Sequence, residues 1–166
     1  MLNVFTSTYE GSIDSKGRVS IPAPFRAKLG GGGRVFVWPS LDGSPYLEGG
    51  GEELMQSYEQ LLLRMSPQDP RRRLYMHAIF TRAADLKMDD TGRIKLPAHL
   101  LEKIGVKGKL LFAGALDRFH IWKPEKYASF DEDMATAMQD NPDALHEVFD
   151  LVLKDGAQPG LTGGDL

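Results

Sequence analysis

Arg18 and Arg93 are the two residues with the clearest chemical possibilities. Each directly follows an Asp-x-x-Gly turn, Asp14-Ser15-Lys16-Gly17 in one case and Asp89-Asp90-Thr91-Gly92 in the other. The turn explains two of its own residues. Asp at a turn start accepts hydrogen bonds from nearby backbone N–H groups, and Gly at the fourth position tolerates positive φ. Neither turn nor strand demands an arginine straight after the glycine. On the polar face at a hairpin rim, arginine offers a planar five-donor fork suited to phosphate oxygens or to guanine O6 and N7. Lys16 and Lys95 add positive charge beside it. Arg18, Lys16, Arg93 and Lys95 are therefore the candidate polyanion-binding residues, on a frame of Asp14, Gly17, Asp89 and Gly92. A single such turn reads more readily as a solubilising surface hairpin; its recurrence shifts the balance.

Other reactive chemistry is missing or scattered. The chain has no cysteine, which excludes a disulfide framework, a thiolate metal site and a cysteine nucleophile. His77, His99, His120 and His146 lie far apart, without an HxxxH pair or a carboxylate at metal-binding spacing. The run Gly30–Gly33 lacks the Gly-Lys-Ser/Thr of a phosphate loop, and it leaves a helix end instead of entering a helix start. There is no G-x-S-x-G elbow. Asp14 and Asp89 each have a sufficient job in their own turn. No enzymatic activity, metal or cofactor is expected.

The elements that position the arginines come from an internal repeat. IDSKGRVSIPAPFRAKLG begins at Ile13 and MDDTGRIKLPAHLLEKIG at Met88, an ungapped offset of 75 with seven of 18 pairs identical. The offset then slips to 73, pairing Glu52 with Glu125 and Leu61 with Met134. Two copies are too few for an open solenoid, so the halves should close on one shared core. Each copy predicts a strand (Ser7–Ile13, Ala83–Met88), the turn, and a period-2 segment with Arg18 and Ser20 opposing Val19 and Ile21. Pro22 and Pro97 then open short helices, which Gly30 and Gly105 end. Hairpin-like strands follow at Arg34–Trp38 with Tyr46–Leu47, and at Lys109–Ala113 with Phe119–Trp122. Each copy closes with an amphipathic helix, carrying Leu54, Tyr58, Leu61, Leu62 and Met65 in the first and Tyr127, Phe130, Met134 and Met138 in the second. A helical Arg71–Phe80 links the copies. The expected units are 5–66 and 82–138, then a helix over 139–153 and a disordered tail over 154–166. Tyr75, Phe80, Phe119 and Trp122 are candidates for subunit contacts, and equally for the core.

Net charge is −3, but it is segregated. Residues 125–166 hold 10 acids and 2 bases, while residues 1–124 hold 18 bases and 13 acids. A basic body with an acidic end is compatible with a polyanion on one face, and equally with a solvated surface. No apolar run approaches the length of a membrane span, and the N-terminal sequence has no basic-then-apolar leader, so a cytoplasmic location is expected.

The duplicated Asp-x-x-x-Arg, strand and Pro-Ala pattern, with Pro-x-x-Pro-Arg-Arg-Arg between the copies, resembles the MraZ family of bacterial transcriptional regulators. The resemblance covers about residues 5–150. It implies an α+β fold of two AbrB-like swapped-hairpin units interlocked into one small β-barrel with flanking helices. It implies an octamer-like homo-oligomeric ring that binds double-stranded DNA at direct repeats, cytoplasmic and nucleoid-associated, with no membrane. The implied target is the division and cell-wall gene cluster that includes its own gene. The family's DNA-contacting arginine falls on Arg18 and its counterpart on Arg93; the turn lysine carries over to Lys16 only, because Thr91 stands at that place in the second copy and Asp90 precedes it. An AbrB-like antitoxin or protein-binding adaptor is the alternative.

Overall fold

The computed structural model describes residues 3–156. Alternating apolar and polar positions dictate the first strands of each copy, and proline dictates where they stop. In the first copy β1 spans Thr8–Ser12, β2 Arg18–Ser20, α1 Ala23–Arg26, β3 Arg34–Pro39, β4 Tyr46–Gly50 and α2 Glu52–Arg64. A short α3, Pro70–Tyr75, runs into a π-helical turn over Met76–Thr81. The second copy gives β5 (Ala84–Lys87), β6 (Arg93–Lys95), α4 (Ala98–Lys103), β7 (Lys109–Gly114), β8 (Phe119–Trp122) and α5 (Pro124–Asp140), followed by α6 (Pro142–Gly156). Pro22 and Pro97 sit at the N-caps of α1 and α4, where the missing N–H costs nothing. One compact unit runs to Tyr127 and a second begins at Ala128. Of the tail expected to be disordered, residues 154–156 end α6 and residues 157–166 lie outside the described residues.

Every strand finds a partner in the other copy. The large sheet has the order β1-β7-β8-β4-β3-β5, all neighbours antiparallel. Exchanging each strand for its counterpart reverses this order onto itself, so a pseudo-two-fold axis passes between β4 and β8. The short β2 and β6 form a separate antiparallel ribbon. The α+β class holds, but the expected closed barrel is not what the hydrogen bonds describe. Among the described residues the sheet ends at β1 and β5, and the ribbon stands apart. The ribbon strands are three residues long, and a proline without an N–H stands two positions after each, which limits the ladder either could extend to a second neighbour. They join β1 and β5 at the corners, through Asp14 N–H to Arg18 O and Asp89 N–H to Arg93 O, both 2.9 Å.

The main core lies beneath the ribbon. Val19 and Ile94 are each 1% exposed, and Ile21, Phe25, Leu47, Leu100, Leu110, Phe112, Phe119 and Ile121 are buried with them. Phe25 meets Phe5 and Tyr9 edge-on at 5.3 and 5.2 Å and stacks on Phe119 at 5.5 Å. A second cluster of Trp38, Leu54, Met55 and Ile79 forms where α2 packs on β3. Buried Glu48 accepts hydrogen bonds there from Trp38 Nε1 at 3.0 Å and Arg118 Nη1 at 3.2 Å. Phe119 and Trp122, considered for subunit contacts, are instead buried, whereas Tyr75 and Phe80 are exposed. Trp38 pairs with Glu48 while its counterpart Ala113 pairs with His120. The hairpins therefore correspond at an offset of 72 (48 to 120), one less than the later helices suggest.

Candidate nucleic-acid interface

In each turn, one aspartate organises everything around it. Asp14 Oδ1 accepts the backbone N–H groups of Lys16 and Arg18, both at 2.9 Å, and Oδ2 accepts Arg18 Nε at 2.8 Å. Asp89 repeats the pattern with Thr91 N–H and Arg93 N–H at 3.0 Å and Arg93 Nε at 2.9 Å, and it adds the Thr91 hydroxyl at 2.9 Å. Gly17 and Gly92 take φ of +79° and +80°, the left-handed conformation the turn requires of its fourth residue. The arginine thus has a local reason that the sequence reading missed. The carboxylate has two oxygens, and the second one clamps the guanidinium.

That clamp orients the arginine without consuming it. Arg18 and Arg93 side chains remain 31% and 35% exposed. Among the described residues their Nη groups make no hydrogen bond. Each guanidinium is held by Nε and keeps its terminal fork for another acceptor. Such half-exposed ion pairs contribute little to stability, so they serve geometry. The Asp14 carboxyl is held below the ordinary carboxylate range, first by the Arg18 N–H, with burial opposing. Asp89 is driven down further, again first by the Arg93 N–H, with the Thr91 hydroxyl as an added donor.

The ribbon brings the candidate residues together. Arg18 lies directly opposite Lys95, and Ser20 opposite Arg93, with Val19 and Ile94 paired between them on the buried side. Side chains alternate across a strand, so Arg18, Arg93, Lys95 and Ser20 share the outer face. Lys16 is exposed in the turn beyond Arg18. Like charges directly opposite each other in a ladder are destabilising. Arg18 and Lys95 thus set two cations side by side, the first partly offset by Asp14. A two-stranded ribbon also fits within a DNA major groove.

Sequence reasoning placed all four cations near the turns but could not set them opposite one another, because that register joins strands 75 residues apart. It also missed Arg26. The last residue of α1 lies against the second turn, where its Nη1 donates to Ile21 O at 2.7 Å. The available signal was copy-specificity, since Arg26 aligns with Leu101. Among the described residues no cluster of three or more His, Asp or Glu is placed to hold a metal ion. No helix among them is long and apolar enough to cross a membrane.

Residues 4–42 and 79–147 match the family described as "MraZ protein, putative antitoxin-like". The chain is 55% identical over 125 residues to the transcriptional regulator MraZ of Hyphomonas neptunium, covering 75% of this chain and 76% of that protein. It is 36% identical over 131 residues to the protein of the same name from Parvibaculum lavamentivorans, covering 78% and 81%. With the Caulobacter vibrioides protein it shares 35% over 125 residues, covering 75% and 80%.

Proposed function

The chain belongs to the MraZ family, and on that premise we propose that it is a transcription regulator that binds double-stranded DNA through the outer face of the β2–β6 ribbon. The observation that carries this reading is the cross-copy placement of Arg18, Lys95 and Arg93 on one face, with two guanidinium forks left open. Phosphate contacts set the register of such a ribbon, and a bidentate arginine reads guanine. Lys16 extends the basic surface. The reading also fits the names of the relatives, which are those of regulators, and it assigns the chain no catalytic role.

The finer features follow the family resemblance. The AbrB-like units are 5–66 and 82–138, each lending strands to the other in the swapped-hairpin manner, with the helix 139–153 appended. Copies of the chain assemble into an octamer-like ring, so that weak single ribbons engage direct-repeat sites together. The sites lie upstream of the division and cell-wall gene cluster that begins with the protein's own gene, which makes the protein cytoplasmic and nucleoid-associated. Exposed Leu61, Leu63, Leu74 and Tyr75 in α2 and α3 supply apolar surface for assembly.

A gel shift on DNA from just upstream of the gene tests the reading. Wild type should bind with an affinity that falls steeply between 50 and 200 mM salt, as counterion release requires. Arg18→Ala should lose about 1–3 kcal/mol for each bidentate contact removed. Full affinity in that variant refutes the ribbon interface. A protein-binding adaptor is the second reading, favoured by the apolar face that Val148, Phe149, Val152 and Leu153 expose on α6; it predicts a co-purifying protein and no DNA shift.

A further inference from the structure

The second turn is poorer in positive charge than the first. Asp90 and Thr91 stand where the first turn has Ser15 and Lys16, so the second turn carries two carboxylates and one arginine of its own. The fold brings a third group to it. Arg26, from the first copy, lies directly on Gly92: a Cβ added there would come within 2.5 Å of Arg26 Cδ and 2.7 Å of Nη1. Gly92 is buried as a result, whereas Gly17 meets only Leu96 O, at 3.9 Å. Arg26 Nη1 donates to Ile21 O, and Ile21 N–H donates to Gly92 O at 2.9 Å, so the guanidinium is fastened to the ribbon end.

The rest of that guanidinium is unspent. Among the described residues Arg26 makes no ion pair and no second side-chain hydrogen bond, although Asp89 and Asp90 line the same cavity of about 310 Å³. Asp89 is already occupied by Arg93 and Thr91. Nothing equivalent happens at the first turn, because the counterpart of Arg26, Leu101, is buried. Each turn thus has a cation close to it besides its own arginine, and the first also has Lys95 opposite Arg18 on the ribbon. Lys16 supplies the close cation from within the first turn, and Arg26 supplies it across copies to the second.

We propose that Arg26 and the turn over residues 89–92 form a second phosphate-binding site for DNA, in which Arg26 takes the part that Lys16 plays in the first. This rests on the DNA-binding reading above. A buttress for Gly92 is the structural role it must be separated from, and a buttress would change melting temperature but not the salt dependence of binding.

The test uses the full chain, the upstream DNA fragment and a salt series, with Arg26→Gln, Arg26→Lys and Asp90→Lys. Arg26→Gln should weaken binding about fivefold on every sequence and make the log-affinity against log-salt slope shallower by about 1 for each turn engaged. Arg26→Lys keeps the charge and should keep the slope. Asp90→Lys, at an exposed turn position, should raise affinity and steepen the slope. A folded Arg26→Gln protein with the wild-type slope overturns the proposal. If Arg26→Gln does not fold, Asp90→Lys decides alone, and wild-type affinity and slope in that variant overturn it. The two readings fail differently. Wild-type binding that ignores salt, or survives Arg18→Ala, defeats the DNA interface and this site together; binding lost in Arg18→Ala but untouched at Arg26 and Asp90 defeats this site alone.

Discussion

The first turn and the second hold their aspartate and arginine by matching hydrogen bonds of 2.8–3.0 Å. What surrounds them differs. The first is open and carries its own lysine; the second has an extra carboxylate, an extra hydroxyl donor and an arginine delivered from the other copy. The same contrast holds in the core, where the ring of Phe25 in α1 lies within 5.5 Å, centre to centre, of three aromatic rings and its buried counterpart Leu100 carries no ring. The two turns share a backbone frame and a clamp and differ in the charged and hydroxyl groups around them. A site built this way is asymmetric in chemistry while nearly symmetric in geometry.

The largest expected effect tests the core side of that contrast. Phe25→Ala should cost about 4 kcal/mol and Leu100→Ala about 3 kcal/mol in denaturant unfolding, because the aromatic site leaves the larger cavity. Equal losses would mean that the two short helices are energetically interchangeable. Next come the arginines. Arg18→Ala should weaken DNA binding by about 1–3 kcal/mol per contact, and Arg93→Ala by about 1 kcal/mol, since Arg26 remains and Asp90 opposes. A gel shift with the order reversed would place the main contact at the second turn. The glycines follow. Gly17→Ala should cost about 1 kcal/mol for its positive φ alone. Gly92→Ala should cost about 2 kcal/mol, because the new methyl also displaces Arg26 from Ile21 O. Identical melts for the two variants would remove Arg26 from the account.

The smallest effect is on pH. Both carboxylates are depressed in the folded chain, Asp89 more than Asp14. Their contribution is therefore fully present above the unfolded value, about pH 4, and is lost as pH falls through the folded values. On acidification the Asp14–Arg18 clamp should open before the Asp89–Arg93 clamp. The Nε–H signals of Arg18 and Arg93, followed by NMR, report that order directly. Simultaneous opening would show that the Thr91 hydroxyl adds nothing.

Local chemistry was legible in the sequence, and pairing across the chain was not. The turns, the positive φ at Gly17 and Gly92 and the period-2 strands follow from residue type and spacing. The Asp–Arg clamp escaped because a capping role for aspartate accounts for only one carboxylate oxygen. Arg18 opposite Lys95, and Arg26 against Gly92, depend on contacts between segments more than 60 residues apart, where no local rule reaches. Phe119 and Trp122 stayed undecided between core and subunit contact for a different reason. Phe119 enters the main core and Trp122 lies on the opposite face of the same strand, yet both are buried. Alternation cannot distinguish inside from outside on a strand covered on both sides.

The cross-copy ladders carry one last consequence. With β1, β2 and β3 each bonded to a strand from the far half of the sequence, the link between Arg64 and Pro70 is a leash, not a joint. Severed there, the molecule should behave as a natural split protein. Each fragment would be unstructured alone, and the two would complement each other on mixing, with circular dichroism and DNA retention recovered in a one-to-one titration.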